Sequence, residues 1–215
     1  MVQSENMDSK TLKKALKHLN QDARLASVIP RLAAPEIGEG GDTFAALCRS
    51  IIYQQLSGKA AGTIHERFLL LFPKKKPTPK LLLKHEREVL RAAGLSNQKT
   101  DYLYDLSRKF VEGFIKPEKF PEMTDEEIRE HLVAVKGIGV WTADMFLMFT
   151  LGRLDVLPTL DLGIKKGFKK LFKLKELPDA TKMEKLAKTW HPYCTIASCY
   201  LWRLADEGNV NRPSK

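Results

Sequence analysis

Apolar positions recur at helical spacing along almost the whole chain. In SKTLKKALKHLNQ, Leu12, Ala15, Leu16 and Leu19 share one face, with Ser9 as the expected cap. DTFAALCRSIIYQQLS predicts a helix over 42–57 opened by Asp42 or Thr43. GKAAGTIHERFLLLF predicts another directly after Ser57-Gly58, and Thr78-Pro79 reads as a further helix start. HEREVLRAAGLSNQKTDYLYDLSRKFVEG divides at Gly94 into two helices, the second capped by Ser96. TDEEIREHLVAV opens on a capping box, Thr124 with Glu127. LGRLDVLPTLDLGIKKGFKKLF is a Pro158-bearing loop and then a helix from about Leu160. DATKMEKLAKTWHPYCTIASCYLWRLADEG holds one or two closing helices. No alternating apolar–polar run exceeds four or five residues, so the expectation is an all-α protein.

One apolar stretch breaks its own pattern. VKGIGVWTADMF, Val135 to Phe146, interrupts helix with Gly137-Ile138-Gly139 and resumes at once. Glycines permit a tight turn and leave room for another surface to approach. The resumed helix begins with N–H groups that lack intrahelical partners, which suits a phosphate. Thr142 can add a hydroxyl there, and Trp141 stands just past the turn. A grip of this kind holds a nucleic-acid backbone without reading sequence. A plain glycine turn between two helices is the simpler reading of GxG taken alone.

Composition narrows the partners. The 215 residues suit one domain or two fused lobes, and 43% hydrophobic with 29% charged residues is a globular profile. Lys plus Arg exceed Asp plus Glu by 36 to 26, giving +10, which favours a polyanionic partner. Cys48, Cys194 and Cys199 are too few for a disulfide framework. With His191 as one candidate neighbour, Cys194 and Cys199 are too few and wrongly spaced for a closed zinc or iron–sulfur site, and packing is their expected role. No run approaches the roughly 20 apolar residues that span a bilayer, so no membrane association is expected. The first residues lack a signal-type apolar core, which predicts an intracellular protein, nuclear if the source is eukaryotic.

A second stretch carries chemistry. LDVLPTLDLGIKKGF places Asp161 at the start of a basic helix, where a carboxylate meets free N–H groups and the positive end of the dipole. By itself Asp161 reads as a cap and Asp155 as a loop solubiliser. KKGFKKLFKLK, residues 165–175, reads as a helix with six lysines on one face and Phe168, Leu171, Phe172 and Leu174 on the other.

Taken together, LVAVKGIGVWTA and the Pro-bearing loop closing on Asp161 resemble the helix-hairpin-helix DNA glycosylases. IIYQQLSGKAAGTI, AAGLSNQKTDYLYDLS and WHPYCTIASCYLW resemble further segments of that family, from about residue 16 to 206. The chain is most similar to the 3-methyladenine (alkylpurine) DNA glycosylase II family, and within it to the short fungal-type members. The resemblance implies the helix-hairpin-helix glycosylase fold: a single domain over 1–215 with two helical lobes and an active-site cleft between them. One lobe, about 60–155, would carry the hairpin, and the N- and C-terminal segments would form the other. It implies base excision repair, with an alkylated purine flipped out of duplex DNA and its N-glycosidic bond hydrolysed.

What the resemblance implies for residues follows position by position. Asp161 falls on the catalytic aspartate and Asp155 on a secondary acidic position. The carbonyls of Val133, Val135 and Ile138 would hold Na⁺ or K⁺ bridging to a DNA phosphate, with no cofactor required for the chemistry. Lys136, Gly137, Ile138, Gly139, Val140 and Thr142 would contact DNA, as would Lys165 and Lys166. Gln54, Gln55, Leu56, Ser57 and Gly58 would enter the minor groove and supply the wedge. Trp141 stands where bifunctional relatives carry a lysine, which implies a monofunctional enzyme and a face for an extruded base. Tyr53, Phe44 and Trp202 are further aromatic candidates for the base pocket, with core packing as the commoner role of such residues. Two positions depart from the pattern. Cys194-Thr195 replaces Arg-Ser, and the wedge tip carries the small Ser57. These departures favour an alternative in which the fold binds abasic or damaged DNA and excises poorly. The expected partner is double-stranded DNA with alkylated or abasic sites, bound by a monomer.

Overall fold

The structure, a computed structural model, describes residues 9–33, 35 and 40–207. It is helical, with no strand among the described residues. The α-helices are α1 (Ser9–Leu19), α2 (Ala23–Val28), α3 (Thr43–Tyr53), α4 (Gly58–Leu69), α5 (Pro79–Leu82) and α6 (Arg87–Ala92). They continue with α7 (Asn97–Val111), α8 (Asp125–Val133), α9 (Val140–Phe149), α10 (Leu162–Leu171), α11 (Ala180–Ala187) and α12 (Cys194–Asp206).

Most boundaries are written in side-chain oxygens. Asp42, Ser57, Thr78, Ser96, Thr124, Asp161 and Asp179 each cap a helix, accepting a first-turn amide. Thr124 and Glu127 form the expected reciprocal box. Three expectations need correction. α1 begins at Ser9 itself, so its cap falls outside the described residues. α3 stops at Tyr53, because Gln54 turns extended and Gln55 takes a positive φ of 55°. The helix expected over 165–175 ends at Leu171; Phe172 leaves helical geometry and Lys173 has φ 50°, so Lys173 and Lys175 lie beyond it. α2, with Asp22 as its cap, is an element the pattern reading passed over.

The chain divides into two compact units. One comprises Gly41–Phe146 and holds α3 to α8 with the first part of α9. The other joins the described residues up to Gly40 with those from Leu147 onward. The expected lobe of about 60–155 began later in the chain, whereas α3 packs on α4 and α7 and so belongs to the hairpin unit.

The terminal unit is built on α10 packed against α12. Gly167 makes that approach possible: a Cβ there would lie 2.5 Å from the Leu201 carbonyl oxygen. Phe168, fully buried, stacks on Trp190 at 5.1 Å and on Phe172 at 5.7 Å. Trp190 is itself fully buried and donates its indole N–H to Asp22 at 3.0 Å. Ala15, Leu19, Leu25 and Met183 close the same core from α1, α2 and α11. Truncating a large aromatic of this kind costs about 3–5 kcal/mol.

Candidate nucleic-acid interface and active site

In the hairpin unit, α8 and α9 meet through the turn at Lys136–Gly139. Gly137 has φ 82°, and a Cβ on it would stand 2.0 Å from the Tyr102 ring. That residue must be glycine for reasons internal to the fold. Gly139 differs, since a Cβ there would meet nothing within 4 Å. The same holds for Gly58 at the first position of α4. The open space at both leaves room for an outside surface.

The turn is held from behind. The Lys136 amide donates to Asp105 Oδ2 at 2.9 Å, and the Lys109 ammonium reaches the same oxygen at 2.9 Å. Burial pushes the Asp105 carboxyl up, but the Lys136 amide and Lys109 outweigh it and hold the group below its ordinary value. Gln54 Nε2 donates to the Gly137 carbonyl at 2.7 Å. Lys99 Nζ donates to the carbonyls of Ile52 and Gln54, at 2.6 and 2.8 Å, closing the C-terminal end of α3. Arg129 on α8 pairs with the buried Asp144 on α9 at 2.9 Å, although burial raises the Asp144 carboxyl. Expected as a DNA contact, Gln54 thus couples the α3–α4 turn to the hairpin.

The other expected contacts sort by exposure. Gln55, Leu56, Ser57 and Gly58 are all exposed, with Leu56 at 40%. Gln55 carries the left-handed backbone, and Ser57 accepts loosely from the Ala60 amide at 3.5 Å. Leu56 is therefore the apolar side chain this turn displays. Lys136, Gly139, Val140 and Trp141 are also exposed, Trp141 at 46%. The first turn of α9 carries no acidic residue. The side chains of Val135 and Ile138 are buried, and Thr142 is only 7% exposed, so it offers little surface for a ligand. Phe44 is core, packed edge-on against Phe110 at 5.2 Å, and does not line a surface. Tyr53 lies beneath the Arg49 guanidinium at 4.2 Å and edge-on to His65.

In the terminal unit, Asp161 caps α10. Its Oδ1 accepts the Ile164 amide at 2.8 Å and the Trp202 indole N–H, also at 2.8 Å. Gly163 leaves the room this needs: a Cβ there would meet the Trp202 ring at 2.7 Å and Asp161 Oδ1 at 3.0 Å. Trp202 also lies against Phe149, 6.0 Å between centroids. Trp202, expected as a pocket wall, is half-buried and orients the Asp161 side chain through this bond. On α10, Lys165 is half-buried and Lys166 exposed. Lys170 turns to the end of α12 and donates to the carbonyls of Leu204 and Ala205.

The loop before Asp161 is tied to the start of α12. Thr195, fully buried, donates to the Arg153 carbonyl at 2.7 Å and accepts the Val156 amide at 3.0 Å. Asp155 binds His191 and the Cys194 amide. The three cysteines are free and buried. Burial, with Asp155 beside it, pushes the Cys194 thiol up, and burial takes Cys199 to about 12. Neither is a reactive thiolate. Asp144 stands out in the sequence as the one charge within the apolar helix α9, whereas Asp105 lies among other charged residues on α7 and carries no such signal. No sequence pattern marked the Trp202–Asp161 bond, which joins positions 41 apart.

The family model described as the HhH-GPD superfamily of base excision DNA repair proteins matches residues 48–192. DNA-3-methyladenine glycosylase 1 of Schizosaccharomyces pombe is 34% identical over 197 residues, 89% of this chain and 86% of that protein. A relative from Bacillus subtilis is 36% identical over 163 residues, and the match spans 57% of that protein's length. A DNA-3-methyladenine glycosidase structure from Bacillus halodurans superposes with a TM-score of 0.83 at 35% identity, covering 95% of this chain and 93% of that one. A fission-yeast 3-methyladenine DNA glycosylase in complex with abasic DNA gives 0.77 at 30% identity, covering 94% and 100%.

Proposed function

Because the chain belongs to the HhH-GPD superfamily of base excision DNA repair proteins, we propose that it is a monofunctional DNA glycosylase that hydrolyses the N-glycosidic bond of alkylated purines in duplex DNA. The observation that carries this reading is Asp161, a half-buried carboxylate oriented by two N–H donors at a helix start. Bond cleavage at C1′ passes through an oxocarbenium-like cation. A fixed carboxylate stabilises that charge without reorganising and directs the incoming water. An alkylated purine such as 3-methyladenine is cationic and leaves readily, so the reaction needs no acid on the base.

Extruding the base costs a few kcal/mol of stacking and pairing. Trp141 offers an exposed face to a cationic base, an attraction of about 1–2 kcal/mol when desolvated. It has no amine, so no Schiff base forms at that position and the strand is not cleaved. The segment Gln55–Ser57 fills the vacated space, with Leu56 as its apolar element. The backbone is gripped at the start of α9, where Gly139 and the first-turn amides admit a phosphate. The neutral carbonyl oxygens of Val133, Val135 and Ile138 suit a monovalent cation; the Val135 oxygen accepts the Ile138 amide and keeps a second lone pair. Such a cation would add positive charge toward that phosphate. The proposed partner is damaged duplex DNA, bound by a monomer inside the cell.

The test is release of free methylated base from alkylated duplex DNA, with borohydride trapping alongside. Base release without a trapped adduct or strand break supports the reading. A trapped adduct would overturn the monofunctional assignment. Tight abasic-DNA binding with no release would replace the enzyme by a damage-binding protein.

A further inference from the structure

Two separated stretches of the terminal unit bring three metal-binding side chains together. Asp155 lies on the loop that leads to Asp161. His191 and Cys194 stand three residues apart at the entry to α12. His191 Nδ1 is 2.9 and 2.8 Å from the two Asp155 carboxylate oxygens. Cys194 Sγ is 3.6 Å from that same nitrogen. One donor atom from each residue lies within 4.8 Å of the others.

Imidazole nitrogen, thiolate sulfur and carboxylate oxygen are the donors that Zn²⁺ takes, and three protein ligands plus water is a recurrent open arrangement. With Zn–S about 2.3 Å and Zn–N about 2.0–2.1 Å at a tetrahedral angle, sulfur and nitrogen stand about 3.6 Å apart. That is the separation found between Cys194 and His191. The His191–Asp155 contact is a hydrogen bond, and the corresponding tetrahedral spacing is about 3.4 Å. The carboxylate must therefore retreat by about 0.5 Å to admit an ion. The side chains of Asp155 and His191 are 36% and 51% exposed, which opens an entry path, while the buried Cys194 forms the floor.

We propose that Asp155, His191 and Cys194 bind one divalent transition-metal ion of the Zn²⁺ class, with water in the fourth position. Binding releases the Cys194 thiol proton, and the imidazole proton moves from Nδ1 to Nε2. The ion braces the loop that ends at Asp161 against the start of α12, the helix that carries Trp202. Its role is structural and does not include the bond cleavage.

The full-length protein, stripped of metal, is titrated with Co²⁺ and then with Zn²⁺. The expected result is one equivalent of Co²⁺ giving a thiolate-to-metal absorption band with tetrahedral visible bands, bleached by Zn²⁺. Cys194→Ser abolishes the thiolate band, whereas Cys48→Ser and Cys199→Ser keep it. His191→Ala, at an exposed position, weakens Co²⁺ binding at least about tenfold and decides the matter if Cys194→Ser does not fold. Absence of the thiolate band at one equivalent overturns the site. So does a band that survives Cys194→Ser, or Co²⁺ affinity unchanged by His191→Ala.

Discussion

Asp161 caps a helix and, in the proposed reaction, stabilises a sugar cation, so its substitution must separate the two roles. Trp202 offers one way. Trp202→Phe keeps a ring against Phe149 and removes the indole N–H that Asp161 accepts. The expected outcome is a fall in kcat of about tenfold, the equivalent of about 1.4 kcal/mol, with KM and thermal stability little changed. A fall in KM affinity with kcat intact would place Trp202 in the base pocket instead. The glycines divide in a similar way. Gly137→Ala forces a strained φ and a clash with Tyr102, and a large drop in melting temperature is expected. Gly58→Ala meets nothing within 4 Å, so stability should hold or rise by about 0.4–1 kcal/mol while DNA affinity falls. Unchanged affinity in Gly58→Ala would remove the α3–α4 turn from the interface. Sequence spacing could mark all these glycines but could not sort them. The sorting depends on Tyr102, 35 positions from Gly137 in the numbering, and on empty space at Gly58.

At the scale of elements, the caps were legible because Asp, Ser and Thr compete for free amides within three residues of themselves. The ends of α3 and α10 were not, because Gln55 and Lys173 take left-handed backbones that their residue types do not announce. The ties between elements were also hidden. Asp105 on α7 holds the hairpin through the Lys136 amide, yet in sequence it reads as an ordinary i,i+4 partner of Lys109. Its pKa gives a prediction. The folded value lies below the unfolded one, so its contribution is present above the ordinary aspartate value near 3.9 and is lost as pH falls through the folded value. Asp105→Asn should lower stability at neutral pH and flatten the acid loss as pH falls below the ordinary aspartate value, followed by denaturant unfolding. An unaltered acid limb would show that other carboxylates carry it. On the other unit, buried Thr195 ties the Asp161 loop to α12, and the sequence offered this residue only as a departure from the family's Arg-Ser.

For the whole molecule, the net charge of +10 and the family it belongs to point the same way. If about five phosphates are neutralised, the log–log dependence of duplex affinity on salt should have a slope of about −4 to −5. A slope near zero in a salt titration would contradict backbone gripping. The chemistry rests on a single carboxylate, and Asn caps a helix about as well as Asp, so Asp161→Asn should fold normally. The most direct measurement is therefore release of methylated purine by wild type and Asp161→Asn, with abasic-DNA affinity measured on the same preparations. Release should disappear in the variant while affinity stays within a few-fold of wild type. Release at an undiminished rate by Asp161→Asn would contradict a catalytic carboxylate at that position.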